Sequence, residues 1–196
     1  MSITIKPLSP ELAEDYFDFF ENRAFTDDSP YRCYCQRFQM TKDEFRAAYE
    51  GVPPHLMGQA ARRTAQEQID SGALQGYLAY DGDLCIGWCN ANDRAHYPED
   101  GINGSQYYAP AESREMAVVC FEIAPEYRGR GIATAFLQRV LEDAAAGGYK
   151  AVVSYPIEYA KRYEWDYTGP VRLYEKAGFV RTQSCEGYTV MRKELI

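Results

Sequence analysis

Apolar positions along the chain change their spacing in a readable order. From Pro10 to about Asn22, Leu12, Tyr16, Phe19 and Phe20 recur at helical intervals, after a short alternating strand over residues 3–6. Thr41 stands where it can cap a second helix, TKDEFRAAYE, which Gly51 ends. Pro53-Pro54 opens a third, stopped near Ser71 by Gly72. The period then shortens: Leu74–Tyr80 and Leu84–Asn90 read as strands, and Asp81-Gly82-Asp83 between them predicts a hairpin. Arg114–Ile123 is a longer strand. Ile132–Ala146 follows as a helix whose buried stripe is Ile132, Phe136, Leu137, Val140, Leu141 and Ala144. With a buried strand over Ala151–Tyr155, this predicts a parallel strand–helix–strand crossover. A short helix over Pro170–Ala177, stopped by Gly178, precedes strands over Phe179–Arg181 and Tyr188–Leu195.

Three stretches resist this pattern: residues 24–40, 93–113 and 156–169, each rich in aromatic and turn residues. A connection as long as 93–113 inside a compact domain carries function or moves, and is expected to be a lid or pocket wall. No repeat, low-complexity tract or linker interrupts the chain, so residues 1–196 are expected to form a single α/β domain.

Composition narrows the function classes. Hydrophobic residues make up 46% and charged residues 26%, ordinary for a soluble domain with a real core. The net charge of −8 disfavours nonspecific binding to nucleic acid or anionic membrane. Met1–Lys6 leads straight to Pro7 and Pro10 without a signal peptide's apolar run, and no stretch has membrane-spanning length. A cytoplasmic location is therefore expected. The six cysteines fit it as reduced thiols. His55 and His96 lie far in sequence from every cysteine, so no metal site is expected. Even spacing would put Cys85 and Cys89 on one strand face.

The chemistry centres on Val118–Val140, where the long strand turns through Arg128-Gly129-Arg130-Gly131 into a helix. A helix start offers unpaired N–H groups and a positive dipole end, and glycines let that backbone approach a phosphate without a Cβ in the way. Two arginines beside the turn favour several phosphate charges. A dinucleotide site would want a third glycine near Thr134 and an acidic residue ending the next strand, which instead ends Ser154-Tyr155. The P-loop pattern G-x-x-x-x-G-K-[ST] is absent.

Arg128-x-x-Gly131-x-Ala133 resembles the acyl-CoA pyrophosphate loop of the GNAT superfamily of N-acetyltransferases. Downstream, Arg172-Leu173-Tyr174-Glu175-Lys176-Ala177-Gly178-Phe179 is similar to that superfamily's other hallmark, and residues 74–195 carry the likeness. The resemblance implies an α/β fold: a mixed, mostly antiparallel twisted sheet, a parallel crossover at the cofactor site, and helices on both faces. Residues 1–73 would form the acceptor side. It implies acetyl-CoA as acyl donor, with pyrophosphate on the backbone of Gly129, Arg130, Gly131, Ile132, Ala133 and Thr134, next to Arg128. The pantetheine arm would pair with the main chain of Phe121, Glu122 and Ile123, in a gap where this strand and the one at 151–155 splay apart. Where the superfamily usually has an Asn and small residues, this chain has Tyr167-Thr168-Gly169-Pro170.

Tyr174 is the expected acid. A phenol with pKa of about 10 can protonate a departing thiolate whose thiol has pKa of roughly 8.5. Glu115 is the expected base for the amine, since some relatives use a glutamate early on this strand. Glu122, seven residues on, would face the other way in a regular strand. Cys120 keeps a covalent route open. Asp93, Asp100, Glu112, Glu158, Glu164 and Asp166, mixed with Tyr97, Tyr107, Tyr108, Tyr155, Tyr163, Trp165 and Tyr167, suit an organic cation. The expected substrate is thus a small cationic amine, for a monomer or homodimer. The competing expectation is a GNAT-like module that holds acyl-CoA as a sensor without turnover.

Overall fold

A computed structural model of the chain describes residues 3–25, 33–158 and 166–195. Seven strands form one sheet in the order β1-β2-β3-β4-β5-β7-β6. They are β1 (Ile3–Pro7), β2 (Gly76–Asp81), β3 (Leu84–Asp93), β4 (Glu115–Ile123), β5 (Ala151–Ser154), β6 (Val180–Cys185) and β7 (Tyr188–Glu194). Every neighbouring pair is antiparallel except β4 and β5. Those two are joined by α4 (Ile132–Ala146), the expected crossover. The alternation of β2 and β3 and the apolar runs of β4 and β5 placed these strands within a few residues. β6 runs further than expected because it is an edge strand with mostly exposed side chains, which leave no alternation to read.

Helices cover both faces. On one side α1 (Ala13–Asn22) and α3 (Met57–Asp70) pack Tyr16, Phe17, Phe20 and Ala65 against Tyr80, Trp88, Val119 and Cys120. On the other, α4 and α5 (Val171–Lys176) pack Phe136, Leu137, Val140 and Tyr174 against Ile86, Val118, Phe121 and Val152. Phe136 and Leu137 are completely buried, each contributing about 2 kcal/mol by removal of apolar surface from water. The second helix, α2 (Lys42–Tyr49), starts as expected. Thr41 Oγ accepts from the Glu44 N–H at 3.1 Å, and the Glu44 carboxylate accepts from the Thr41 N–H at 2.8 Å.

Two β-bulges revise the expected faces. Asn90 pairs with Cys120 but Ala91 pairs with Val118, so Val119 is an extra residue in β4. Val119 and Cys120 consequently both face the α1/α3 side. Glu115 and Glu122 therefore share that side, rather than facing opposite ways. In the β2–β3 hairpin Tyr80 pairs with Cys85 and Ala79 with Gly87, leaving Ile86 as the extra residue. Cys85 and Cys89 accordingly lie in different cores, one on each side of the sheet, and do not share a face.

Residues 94–113 form a wall pinned by Arg94. Its guanidinium donates to the carbonyls of Tyr107 at 3.1 Å, Gln106 at 2.9 Å and Tyr108 at 2.8 Å, and pairs with Glu115. Tyr97 and Tyr107 from this wall are buried against the α1/α3 core. Among the described residues no helix is long and apolar enough to cross a membrane.

Candidate active site

The turn after β4 has the backbone that its glycines suggested. Gly129 and Gly131 adopt left-handed φ values of 75° and 85°, a region that β-carbons disfavour. A Cβ built on either meets nothing within 4 Å, so the space before the turn is open. Gly131 caps α4 without a side-chain hydrogen bond, and the first turn of α4 holds no acidic residue. This open concavity at an uncapped helix start fits a pyrophosphate. The Arg130 guanidinium lies beside it, 5.2 Å from the Tyr127 ring.

Arg128 departs from the expected pattern. Its side chain turns inward, donating to the Ile123 carbonyl at 2.9 Å and to the Glu122 carboxylate at 3.2 Å. It positions a carboxylate in addition to flanking the turn.

β4 and β5 separate as expected. Their parallel pairing covers Glu115–Val118 against Ala151–Ser154 and stops there. Beyond it, the Phe121 N–H donates to the Tyr167 carbonyl at 2.6 Å, so residues 166–170 lie along the free edge of β4. That segment is itself anchored: the Tyr174 hydroxyl donates to the Thr168 carbonyl at 2.6 Å, and Thr168 Oγ accepts from the Ile157 N–H at 3.0 Å. Tyr174 is completely enclosed, and burial pushes its phenol well above the ordinary value.

The two glutamates of β4 sit in opposite circumstances. Glu115 lies between Arg94 and Arg192, with Arg192 Nη1 at 2.6 Å. Burial alone would raise its carboxyl, but the two guanidiniums outweigh burial and hold it below the ordinary range. A carboxylate held this way is a poor proton acceptor. Glu122 is nearly enclosed, with its side chain 13% exposed, and Arg128 partners it. Burial raises it to about 7 despite that guanidinium. Nothing in the sequence marked this difference, because the bulge that aims Glu122 and the arginines that lock Glu115 are both tertiary.

Beside Glu122 lies a thiol pair. Cys35, in a left-handed conformation with φ 55°, accepts from Asn90 Nδ2 at 3.3 Å, and Asn90 is the ladder partner of Cys120. A hydrogen bond to Cys35, together with burial, pushes the Cys120 thiol well above its ordinary value.

The acidic residues expected to face an acceptor mostly serve locally. Asp93 accepts from the Ala95 N–H, Asp166 accepts from Thr168, and Glu158 pairs with Arg181 and Thr189. Asp100 and Glu112 are exposed. Tyr163, Glu164 and Trp165 lie outside the described residues. Of the expected aromatic residues, Tyr97, Tyr107, Tyr155 and Tyr167 come together with Phe38 and Tyr188, which the sequence did not single out. Phe38, Tyr107, Tyr155 and Tyr188 meet edge to face in turn, Tyr97 meets Tyr107 at 6.1 Å, and Tyr167 meets Phe38 at 6.3 Å.

A family model described as "Acetyltransferase (GNAT) family" matches residues 37–179. The chain belongs to that family. Its members carry out transfer of the acetyl-CoA type, and both hallmark segments of this GNAT chain fall inside the match. No curated protein matches its sequence. Solved structures agree on the fold at low identity. The GNAT domain of S. lividans PAT is 18% identical over 97% of this chain and 89% of that one, with a TM-score of 0.59. The PaiA N-acetyltransferase of Thermoplasma acidophilum, solved in complex with coenzyme A, is 14% identical over 99% of both chains, at 0.55. The ribosomal-protein-S18-alanine N-acetyltransferase of Escherichia coli is 10% identical over 99% and 94%, at 0.51.

Proposed function

We propose that this GNAT chain is an N-acetyltransferase that moves an acetyl group directly onto an amine, with Glu122 as the base and Tyr174 as the acid. The observation that carries this reading is Glu122. It is a nearly buried carboxylate at the end of β4, beside the glycine turn, with its pKa raised to about 7. A base poised near neutrality can take the proton of an ammonium ion that must become a free amine before it attacks. Glu115, between its two arginines, serves instead to hold the 94–113 wall.

Acetyl-CoA, when bound, supplies a thioester whose carbonyl carbon accepts the amine and whose thiolate departs. The backbone from Gly129 to Thr134 fits its pyrophosphate. The main chain of Phe121 to Ile123 fits its arm, which would take over the Phe121 N–H from Tyr167. Burial keeps the Tyr174 phenol protonated but makes it a weaker acid than free tyrosine, so its hydroxyl would act first as a hydrogen-bond donor to the departing sulfur, once it turns from the Thr168 carbonyl. Direct transfer is favoured because Cys120, held as a thiol, is a weak nucleophile.

The test combines binding with turnover. Acetyl-CoA should raise the melting temperature by mass action, and a panel of amines should release free thiol. Tyr174→Phe should cut kcat roughly 10²-fold or more while keeping the acetyl-CoA shift. A thermal shift with no thiol release from any amine would favour the sensor reading, and no shift at all would defeat both.

A further inference from the structure

A cavity of about 370 Å³ opens between α1, α2, α3 and residues 33–37. An apolar cavity of roughly 150 Å³ already holds a benzene ring, so this one has room for one or two fused rings with a short substituent. Its apolar lining is largely aromatic: Phe20 lies 6.0 Å from Tyr34, and Phe45 lies 4.8 Å from Tyr49, between ring centroids. None of the residues assigned to acetyl transfer lines it. Gly58, in its α3 wall, leaves it open. This glycine stands inside a helical run, where it is less favourable than alanine, yet neither a left-handed φ nor a close neighbour requires it. A Cβ built there meets nothing within 4 Å.

The polar groups of the lining have donors to spare and no spare negative charge. Two charged residues are among the described lining residues, Glu21 and Arg37. The Glu21 carboxylate is satisfied, accepting from Arg62 Nε at 2.9 Å and from the Tyr34 hydroxyl at 3.1 Å. Arg37 is not: its exposed guanidinium lies 4.7 Å from the Phe45 ring centroid and has no ion-pair partner among the described residues. Tyr49 adds a second donor. Its hydroxyl accepts from Gln36 Nε2 at 2.7 Å, and the Gln36 amide is oriented by its Oε1, which accepts from the Tyr34 N–H at 3.3 Å. The phenol's own proton has no acceptor among the described residues. Arg37 and Tyr49 both meet the Phe45 ring, so the two donors flank one wall of the cavity.

We propose that this cavity binds a planar aromatic carboxylate, with its ring among Phe20, Tyr34, Phe45 and Tyr49 and its carboxylate on the Arg37 guanidinium and the Tyr49 hydroxyl. The site does not depend on the N-acetyltransferase reading, because no residue of that reading lines it. An aromatic cation would meet Arg37 as a like charge and find Glu21 already neutralised. A neutral aromatic would fill the chamber but leave both donors unanswered. A carboxylate answers both: arginine can bind it through two parallel N–H donors, and its remaining lone pairs can accept the phenol. The flat rings of the lining suit a flat ligand, which loses little freedom on entry and packs by offset or edge-to-face contact.

The experiment is calorimetric titration of the full chain, without acetyl-CoA, by three probes of one shape: indole-3-acetate, the neutral alcohol tryptophol and the cation tryptamine. Indole-3-acetate is expected to bind roughly tenfold or more tightly than either of the others, the worth of one charge-assisted contact. Arg37→Gln should abolish that preference and leave tryptophol binding unchanged, Arg37→Lys should restore part of it, and Tyr49→Phe should weaken indole-3-acetate by a few fold. Gly58→Leu should fill the chamber and lower binding of all three, while Gly58→Ala, the control for the helix, should keep it. The proposal is overturned if indole-3-acetate does not bind saturably at millimolar concentration, or if tryptophol or tryptamine matches it. It is equally overturned if Arg37→Gln keeps the preference, or if a folded Gly58→Leu variant binds indole-3-acetate as the parent does. Should Gly58→Leu not fold, Arg37→Gln, at an exposed position, decides alone.

Discussion

At the residue scale, the reading turns on two glutamates seven positions apart in one strand. They differ in what surrounds them: two guanidiniums clamp Glu115, while apolar burial raises Glu122 to about 7. If Glu122 is the base, kcat/KM should rise as pH increases through about 7 and then level off, since the carboxyl must lose its proton to work. Glu122→Gln should lower the rate roughly 10²- to 10⁴-fold and remove that inflection. A pH–rate profile with the inflection intact in the variant would take Glu122 out of the mechanism. The same shift has a cost in stability with a defined sign. The folded glutamate keeps its proton to a higher pH than the unfolded one, so the native state loses stability as pH rises from about 4.5 to about 7. The residue types were visible in the sequence, but their roles were not. Burial and the nearness of Arg94, Arg192 and Arg128 come from other elements.

At the element scale, the turn from β4 into α4 was legible in advance, because glycine at two positions of a short turn has a backbone reason. Both glycines do take left-handed φ, and the concavity before them is open. Gly131→Val should place a branched side chain in that opening and also strain the backbone by roughly 1–2 kcal/mol. Thermal shift assays should show loss of the acetyl-CoA-induced rise in melting temperature. Gly187→Val is the control for strain alone: its φ is 86°, its Cβ would also meet open space, and it lies in the β6–β7 hairpin away from the turn. If both variants retain the acetyl-CoA shift, the cradle is elsewhere. The bulges of β3 and β4 were not legible. Met116–Ile123 is a nearly unbroken apolar run, buried on both faces, so an extra residue leaves no break in any alternation. That single residue decides which way Glu122 points.

At the scale of the whole molecule, Arg94 ties together parts that the sequence left separate. It holds the carbonyls of residues 106–108 and joins Glu115 of β4, which in turn meets Arg192 of β7. Arg94→Ala should destabilise the fold by about 3 kcal/mol or more, because it strands three carbonyls and leaves Glu115 with one partner. Urea unfolding measures this, and a loss under about 1 kcal/mol would mean that the wall does not depend on Arg94. The Glu115 contribution has the opposite pH sign to that of Glu122. Its folded pKa is depressed, so its stabilisation is fully present above about pH 4.5 and is lost as pH falls through the lower, folded value.

By itself the sequence determined the secondary-structure order, the crossover, the glycine turn and the family hallmark around Tyr174. Each of these depends on spacing or backbone freedom within about twenty residues, which a linear pattern records. Only the tertiary structure decided which glutamate two guanidiniums clamp and which one burial raises. Those depend on burial and charge contributed by segments far apart in the chain: Arg94 and Arg192, from the 94–113 connection and β7, meet Glu115, while helices packed on the sheet enclose Glu122.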